Sequence, residues 1–233
     1  FFMLCQEYLH KYEPASDRIY DDVTWKSREH IDEVWEEFYR CENNNHDAAV
    51  MLPVHDYLIA QRINSQVYIR EEFDWIRSAI RPDERELYLT IEREGRAVPL
   101  SKTHREYLLS GLAAWERKMA AVGITDYLGL AVALYKYADK LDPRYRCILI
   151  DESQDFGTTE LSILRRICSE GENDIFLCGD AAQRVSTKFQ SLKESGIFIH
   201  ANNSKKITKN YRNSKEILES AYIVLSSNIP EGA

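Results

Sequence analysis

The stretch of sequence that decides the fold is CILIDESQDFGTTELSILRRICSEGENDIFLCGD, residues 147–180. Its two apolar runs, residues 147–150 and 174–178, are rich in strand-forming residues, and acidic residues stop both of them. Residues 158–169, between the two runs, predict a helix. A strand, a helix and a strand at this spacing predict a βαβ unit, and hence an α/β fold built on a parallel sheet with buried strands.

The C-terminal part of the chain continues this pattern. A third strand is predicted near residues 206–209, followed by a helix from Ser214 to about Ser226. Ligands of parallel sheets bind just past the carboxyl ends of the strands. The acidic clusters that follow the two apolar runs lie at that edge, which is therefore the predicted site.

Residues 1–142 predict a succession of helices. The predicted helices run from a Ser27 cap through Arg40, over residues 66–80, from Pro82 to near Gly95, over residues 102–122 behind Ser101, and behind a Thr125 cap. The cluster of asparagines at residues 43–45 predicts a loop. The apolar residues that are spaced along these helices are predicted core positions: Ile31, Val34, Trp35, Phe38, Val67, Phe73, Ile76, Ile80, Tyr107, Leu108, Leu112, Trp115, Met119, Tyr127, Leu128, Leu130, Ala131, Leu134 and Tyr135.

Composition narrows the class of protein. The chain has 233 residues, of which 44% are hydrophobic and 29% charged, which is typical of a folded protein. No apolar run approaches the roughly 20 residues that a membrane-spanning helix needs, so we expect a cytoplasmic protein with no membrane partner. Five cysteines without a C-x-x-C pair favour reduced, mostly buried thiols over a disulfide framework or a zinc site. Because the first residue is Phe, we expect the chain to be a piece of a longer protein.

Charge is distributed unevenly. The net charge of −8 argues weakly against a nucleic-acid partner, because such proteins usually carry a basic surface. The segment from Arg184 to Glu216, however, contains eight basic and two acidic residues, which gives it a net charge of +6. The rest of the chain therefore has a net charge of −14. A basic segment of this kind is compatible with DNA binding, and equally with a solvated surface.

The segment CILIDESQD, residues 147–155, carries the strongest chemical signal. An apolar strand that delivers Asp151 and Glu152 to its carboxyl edge is typical of the Walker B arrangement. Asp151 is the candidate Mg²⁺ ligand, since Mg²⁺ prefers oxygen ligands and keeps part of its water shell. Glu152 is the candidate base that orients and deprotonates an attacking water. An Asp-Glu pair by itself also fits a strand that ends in a polar loop.

Two further clusters are weaker when taken singly. In LCGDAAQR, residues 177–184, Asp180 leaves the neighbouring strand and Gln183 follows, where an amide can hydrogen-bond a phosphate or the attacking water. In ITKNYRNSKEI, residues 207–217, Arg212 can bind phosphate oxygens in a bidentate manner and Tyr211 can stack on a base. A Gly-Asp turn and a surface loop are the alternatives.

Together and in this order, D-E-x-Q-D, G-D-x-x-Q and N-Y-R resemble motifs II, III and IV of the UvrD/Rep-like superfamily 1 DNA helicases. The resemblance covers roughly residues 143–225. It implies that residues 143–233 are the C-terminal half of a RecA-like motor domain of the P-loop NTPase type. Residues 1–142 are similar in style to the helical insertion that precedes motif II. The implied activity is ATP-dependent movement, 3′ to 5′, on single-stranded or partly duplex DNA.

The resemblance also implies roles within motif II. Asp151 becomes the magnesium-associated carboxylate and Glu152 the catalytic base. Gln154 and Asp155 complete the motif at the nucleotide, with Gln154 coupling the state of the nucleotide to the neighbouring motifs. The implied cofactors are ATP and Mg²⁺.

Outside motif II, the resemblance places Asp180 among the cofactor-binding residues and Gln183 at the γ-phosphate. Tyr211 is expected to stack on the adenine, and Arg212 is expected to reach the γ-phosphate. In this family ATP binds between two RecA-like domains.

Two departures from the family pattern change the expectation. No G-x-x-x-x-G-K-[ST] phosphate loop occurs in the sequence, so we expect the isolated chain to be inactive and the loop to lie upstream. The aromatic residues that usually follow the motif III glutamine are also missing. The candidate DNA contacts there are Arg184, Lys188 and Phe189, of which only Phe189 can stack on a base.

Other functions stay open at this point. Asp151, Glu152, Asp155 and Asp180 could converge on metal ions, as in a magnesium-dependent nuclease, although Arg212 downstream argues against that function. A degenerate motor that serves as a protein or DNA interaction module is the non-enzymatic alternative. An associated nuclease is a candidate partner of the helicase.

Overall fold

The structure is a computed structural model, and it describes residues 1–15, 28–40, 47–184, 187–207 and 209–228. The α-helices are α1 (Phe2–Tyr12), α2 (Arg28–Tyr39), α3 (Leu52–Ala60), α4 (Ser65–Ala79), α5 (Lys102–Val122), α6 (Tyr127–Tyr135), α7 (Thr158–Ile167) and α8 (Lys215–Asn228). The strands are β1 (Ile148–Ile150) and β2 (Ile175–Leu177). Short 3₁₀ segments lie at Asp47–Met51, Pro82–Leu89, Ala138–Lys140, Ser153–Asp155, Ala181–Gln183 and Ala201–Asn203.

Helix α5 begins where the sequence predicts it. The Ser101 hydroxyl oxygen accepts a hydrogen bond from His104 N at 3.1 Å and caps the first turn. The helix ends at Gly123, whose φ of 77° is a left-handed conformation that glycine adopts without strain. Leu108 and Leu112 are buried on one face, as their spacing predicts.

The cap of α6 is one residue away from its predicted position. Asp126, and not Thr125, caps the helix, because its Oδ1 accepts a hydrogen bond from Gly129 N at 2.7 Å. The Thr125 hydroxyl instead donates to Asp126 O at 3.3 Å. Asp126 also pairs with Arg77 of α4 at 2.6 Å, a tertiary contact that the local sequence does not show.

Two more predictions about the helices need correction. The segment that starts at Pro82 ends at Leu89, short of the end predicted near Gly95, and it is a 3₁₀ helix. Val67 and Tyr127, both predicted core residues, are 51% and 54% exposed. Each lies in the first turn of its helix.

Two hydrophobic cores organise the described residues. The first core is formed by α2 to α5 with the 3₁₀ segments beside them, and includes Trp35 and Trp115. The second core is formed by α1, α6, α7 and the strands, and includes Leu9 and Leu134. Helices α1 and α6 therefore pack with the strands, although they belong to the region 1–142 that was predicted to be a helical insertion. A domain boundary at residue 142 stays a prediction.

The predicted βαβ unit is confirmed. Strands β1 and β2 pair in parallel with Ile148 opposite Ile175, and α7 connects them. Ile150 is buried in the second core, whereas Leu149 and its partner Phe176 are 74% and 60% exposed. Because side chains alternate along a strand, these exposed residues lie on the opposite face of the sheet. The prediction of buried strands is therefore wrong at Leu149 and Phe176, for the described part of the chain.

The segment after the second core is exposed. Residues 206, 207 and 209 do not form the predicted third strand, and Thr208 lies outside the described residues. A strand needs a neighbour for its backbone groups, and the described residues around this segment supply none. Helix α8 confirms the helix predicted from Ser214, and its described side chains are exposed.

The thiols differ in burial. Cys5 and Cys168 are buried, but Cys147 and Cys178 are exposed beside the strands, contrary to the predicted burial of most thiols. Cys41, Ser27 and the loop predicted at residues 43–45 lie outside the described residues. Within the described ranges no single helix is long and apolar enough to cross a membrane, and only the sharply bent pair α5 and α6 meets that length and composition together.

Candidate functional site

The site begins where β1 ends. Asp151 and Glu152 follow Ile150 directly, and both are exposed at the carboxyl end of the strand. Glu152 has φ 49° and ψ 44°, a left-handed conformation that is uncommon for a residue with a side chain. Asp151 Oδ1 accepts a hydrogen bond from Glu152 N at 2.9 Å, which supports this sharp change of direction. We call Asp151–Asp155, with the 3₁₀ turn at its end, the motif II loop.

Gln154 connects this loop to the neighbouring strand. Its side chain is buried, and its Nε2 donates a hydrogen bond to Glu152 Oε2 at 2.7 Å. Its Oε1 accepts a hydrogen bond from Asp180 N at 3.0 Å. One amide thus orients the carboxylate of the candidate base and holds the backbone where the second cluster begins.

Backbone contacts bring the two strand ends together. Ser153 N donates to Cys178 O at 2.9 Å, next to the ladder bond from Cys178 N to Ile150 O at 2.8 Å. Gly179 follows, and a Cβ at this position would lie 2.5 Å from Gln154 Oε1 and 2.6 Å from Ser153 Oγ. The close approach of the loop to β2 therefore requires glycine at residue 179.

Gly179→Ala is expected to destabilise the fold by about 1–3 kcal/mol, because the new methyl group displaces Gln154 and breaks its bond to Asp180 N. Urea unfolding of the purified chain measures this change. Gly171→Ala is the matched control, since a Cβ there meets no atom within 4 Å. Equal midpoints for the two variants would contradict the tight approach.

Asp180 and Gln183 form a local unit. Asp180 Oδ2 accepts a hydrogen bond from Gln183 Nε2 at 2.9 Å, and its Oδ1 accepts one from Ala182 N at 3.0 Å. The bond from Gln183, and then that from Ala182, lower the pKa of Asp180. Asp180 is therefore ionised at neutral pH, and the amide of Gln183 lies at the same edge of the sheet as the motif II loop.

The third cluster, residues 209–213, is exposed. Tyr211 is 81% exposed, with Lys209 Nζ 5.0 Å from its ring centre. Asn210 Oδ1 accepts hydrogen bonds from the backbone N–H groups of Arg212 and Asn213, at 2.8 and 2.9 Å, and shapes the turn. Among the described residues, no hydrogen bond or ion pair joins the side chains of Tyr211 or Arg212 to the first two clusters.

The residues predicted to contact DNA behave in two ways. Arg184 is exposed, as a DNA contact requires. Lys188 Nζ instead donates to both carboxylate oxygens of buried Glu160, each at 2.9 Å, and to Asp155 O at 3.1 Å. The Phe189 ring packs on Trp75, with ring centres 5.5 Å apart. Lys188 and Phe189 therefore contact other parts of the chain. Of the three predicted DNA contacts, Arg184 is the most exposed.

The carboxylates at this edge suit a metal ion held by one carboxylate better than a cluster of metal ions. The described residues contain no group of three or more His, Cys, Asp or Glu side chains that could hold a metal ion. Asp151, Glu152, Asp155 and Asp180 thus do not gather into the multi-carboxylate cluster that the nuclease alternative needs. The exposed carboxylate of Asp151 supplies one oxygen donor of the kind that Mg²⁺ prefers.

Sequence reasoning missed Gln190, whose Nε2 donates hydrogen bonds to Ser153 O and, at 3.0 Å, to Phe156 O. It also missed the bond from Phe189 N to Ser78 Oγ at 3.0 Å, which spans 111 residues of sequence. A lone glutamine after a polar segment carries no local signal, so only the folded chain reveals these contacts.

Comparison with known proteins places the chain in a family. The family model described as the UvrD/REP helicase N-terminal domain matches residues 1–187, which include the motif II loop, Asp180 and Gln183 but not Tyr211 and Arg212. No curated protein and no solved structure matches the chain significantly. Because the family match spans most of the sequence and contains the strand-end site, the chain belongs to the UvrD/REP helicase N-terminal domain family.

Proposed function

We propose that this chain supplies the water-activating part of the ATP site in an ATP-dependent DNA helicase or translocase. The observation that carries the proposal is the arrangement of Gln154, whose amide holds the Glu152 carboxylate at 2.7 Å and the Asp180 backbone at 3.0 Å. A base that is fixed by a buried neighbour, beside a second strand end with a phosphate-sensing amide, suits nucleoside triphosphate hydrolysis.

Each residue at this edge has a role in the proposed reaction. Glu152 accepts the proton of the attacking water, and Gln154 keeps its carboxylate in place. Asp151 holds Mg²⁺, which when bound neutralises charge on the phosphates. Gln183 hydrogen-bonds the terminal phosphate or the water through the amide that contacts Asp180 in this structure.

The proposed track is single-stranded DNA. Arg184 is exposed, and the three lysines Lys205, Lys206 and Lys209 are exposed in the basic segment that follows. A basic surface of this kind attracts the phosphate backbone independently of base sequence. Movement from 3′ to 5′ rests on the family resemblance alone.

Arg212→Ala tests the arginine assignment in the full-length gene product. We expect DNA-stimulated ATP turnover to fall about 10³-fold, because the guanidinium is proposed to stabilise charge on the transferred phosphoryl group. Binding of labelled single-stranded DNA, measured by fluorescence anisotropy at fixed salt, should change by less than about threefold.

The control is Arg117→Ala, which removes an exposed arginine from α5 without touching the site. Turnover of the control should equal that of the wild type. Wild-type turnover in Arg212→Ala would show that this residue has no role in ATP hydrolysis. A wild-type full-length protein that binds DNA but hydrolyses no ATP would instead support the interaction module.

A further inference from the structure

Every residue of a short segment after motif III has a contact with the motif II loop, with the start of α7 or with α4. We call residues 188–191 the strap. Lys188 donates hydrogen bonds to Glu160 and to Asp155 O, and the Phe189 ring packs on Trp75. Gln190 donates to Ser153 O and Phe156 O. Ser191 N donates to Thr158 Oγ1 at 2.9 Å. The strap thus lies along the loop and the start of α7.

Gln190 bonds both ends of the 3₁₀ turn that begins at Ser153. Its Nε2 donates to Ser153 O and to Phe156 O, the carbonyls of the residues that begin and follow the 3₁₀ turn. Gln154 lies between those two residues, and its amide holds Glu152. One turn of backbone and one buried side chain therefore connect Gln190 to the Glu152 carboxylate.

The strap is itself anchored to the first core. Phe189 N donates to Ser78 Oγ at 3.0 Å, and Thr158 N donates to Phe189 O at 3.1 Å. The start of α7 packs closely on the same part of α4, since a Cβ on Gly157 would lie 2.6 Å from Ser78 Cβ. Because both neighbours of Gln190 are anchored, its amide has a fixed position from which to hold the loop.

We propose that Gln190 is a positioning residue for the catalytic base, acting through the two hydrogen bonds that fix the 3₁₀ turn of the motif II loop. This inference rests on the proposed ATP hydrolysis, and it adds a residue to which the family motifs assign no role here. Gln190 acts through the backbone of the turn, at Ser153 O and Phe156 O. Its effect is expected on the rate of the chemical step and not on ATP binding.

The test compares two variants of the full-length gene product. Gln190→Met keeps the length of the side chain and removes both donors, whereas Gln190→Lys keeps a donor that can reach the same carbonyls. We expect Gln190→Met to lower kcat for ATP hydrolysis by about 10- to 100-fold, with KM for ATP within about twofold of wild type. The kcat of Gln190→Lys should stay within about threefold of the wild-type value.

Hydrogen exchange provides a readout independent of turnover. In Gln190→Met, the amides of Ser153, Asp155 and Phe156 should exchange at least about tenfold faster, while those of β1 and β2 stay protected. Gln61→Met, at an exposed glutamine at the end of α3, is the matched control and should change neither kcat nor exchange.

The outcomes separate this inference from the proposed function. If the wild type turns over ATP and Gln190→Met has the same kcat, or if Gln190→Lys is as slow as Gln190→Met, the positioning role is wrong while the motor stands. Unchanged exchange in the motif II loop would also overturn it. A wild type without ATP turnover overturns both, and a general loss of protection in β1 and β2 shows a merely structural role.

Discussion

Glu152→Gln in the full-length gene product is expected to lose DNA-stimulated ATP turnover by about 10²- to 10⁴-fold. The replacement is isosteric, and its amide oxygen can still accept the hydrogen bond that Gln154 Nε2 donates to Glu152 Oε2 at 2.7 Å. The loop therefore keeps its shape, but the side chain can no longer take a proton from water. Affinity for ATP, measured by isothermal titration calorimetry, should stay within about threefold.

Glu170→Gln is the control for this experiment, because it removes one exposed carboxylate from the loop before β2. It should leave turnover unchanged. Wild-type turnover in Glu152→Gln would exclude this residue as the base. A loss of ATP affinity together with turnover would instead assign Glu152 to nucleotide binding.

The second large effect is expected on stability, at Glu72 in the first core. Glu72 is fully buried and pairs with Arg93 Nε at 2.6 Å and Arg96 Nε at 2.8 Å. Its Oε1 also accepts a hydrogen bond from Tyr88 Oη at 2.7 Å. Glu72→Ala is expected to lower the free energy of unfolding by about 3–5 kcal/mol, because two buried guanidinium groups lose their shared carboxylate.

Urea unfolding of the purified chain measures this loss, with Glu92→Ala as the exposed control that should change the free energy of unfolding by less than about 0.5 kcal/mol. A loss below about 1 kcal/mol for Glu72→Ala would mean that water or other side chains compensate for the missing carboxylate.

Acidification should reproduce part of the same loss in the wild type. Burial raises the pKa of Glu72, but the hydrogen bond and charge of Arg93, with help from Tyr88 and Arg96, outweigh burial and lower the pKa below its usual 4.5. A lowered pKa stabilises the fold at pH values above 4.5, and this stability is lost as the pH falls through the folded value. Glu72→Ala should therefore show a weaker loss of stability below pH 4.5 than the wild type.

In the helical part, local sequence patterns predict some helix caps correctly and others not. Ser101 caps α5 as predicted, because a cap and the apolar spacing behind it are both properties of a few consecutive residues. Thr125 is a good cap in isolation, yet Asp126 takes that place because Arg77 from a distant helix fixes its carboxylate. The local sequence cannot show such a partner, since 49 residues separate the two.

The candidate site also combines features that the sequence predicts with contacts that only the structure shows. The order of strand, helix and strand predicts that Asp151 and Asp180 reach one edge of a parallel sheet, and the bond between Gln154 and Asp180 N is consistent with that arrangement. Lys188 and Phe189 were predicted at a DNA surface, but both have partners within the chain. A cation or an aromatic ring in a polar segment has the same sequence signal whether it faces DNA or a buried carboxylate.

The sequence by itself determined the βαβ unit, the membership of a helicase family and the residues at the strand ends, because periodicity and motif spacing are properties of short segments. Only the tertiary structure decided that Gly179 allows the loop to approach β2, that Gln154 orients Glu152 and that Gln190 holds the loop. The hydrogen bonds of Gln190 span 37 and 34 residues, and the bond between Gln154 Oε1 and Asp180 N, which holds the amide that orients Glu152, spans 26. Such geometry is a property of the folded chain and not of a short segment.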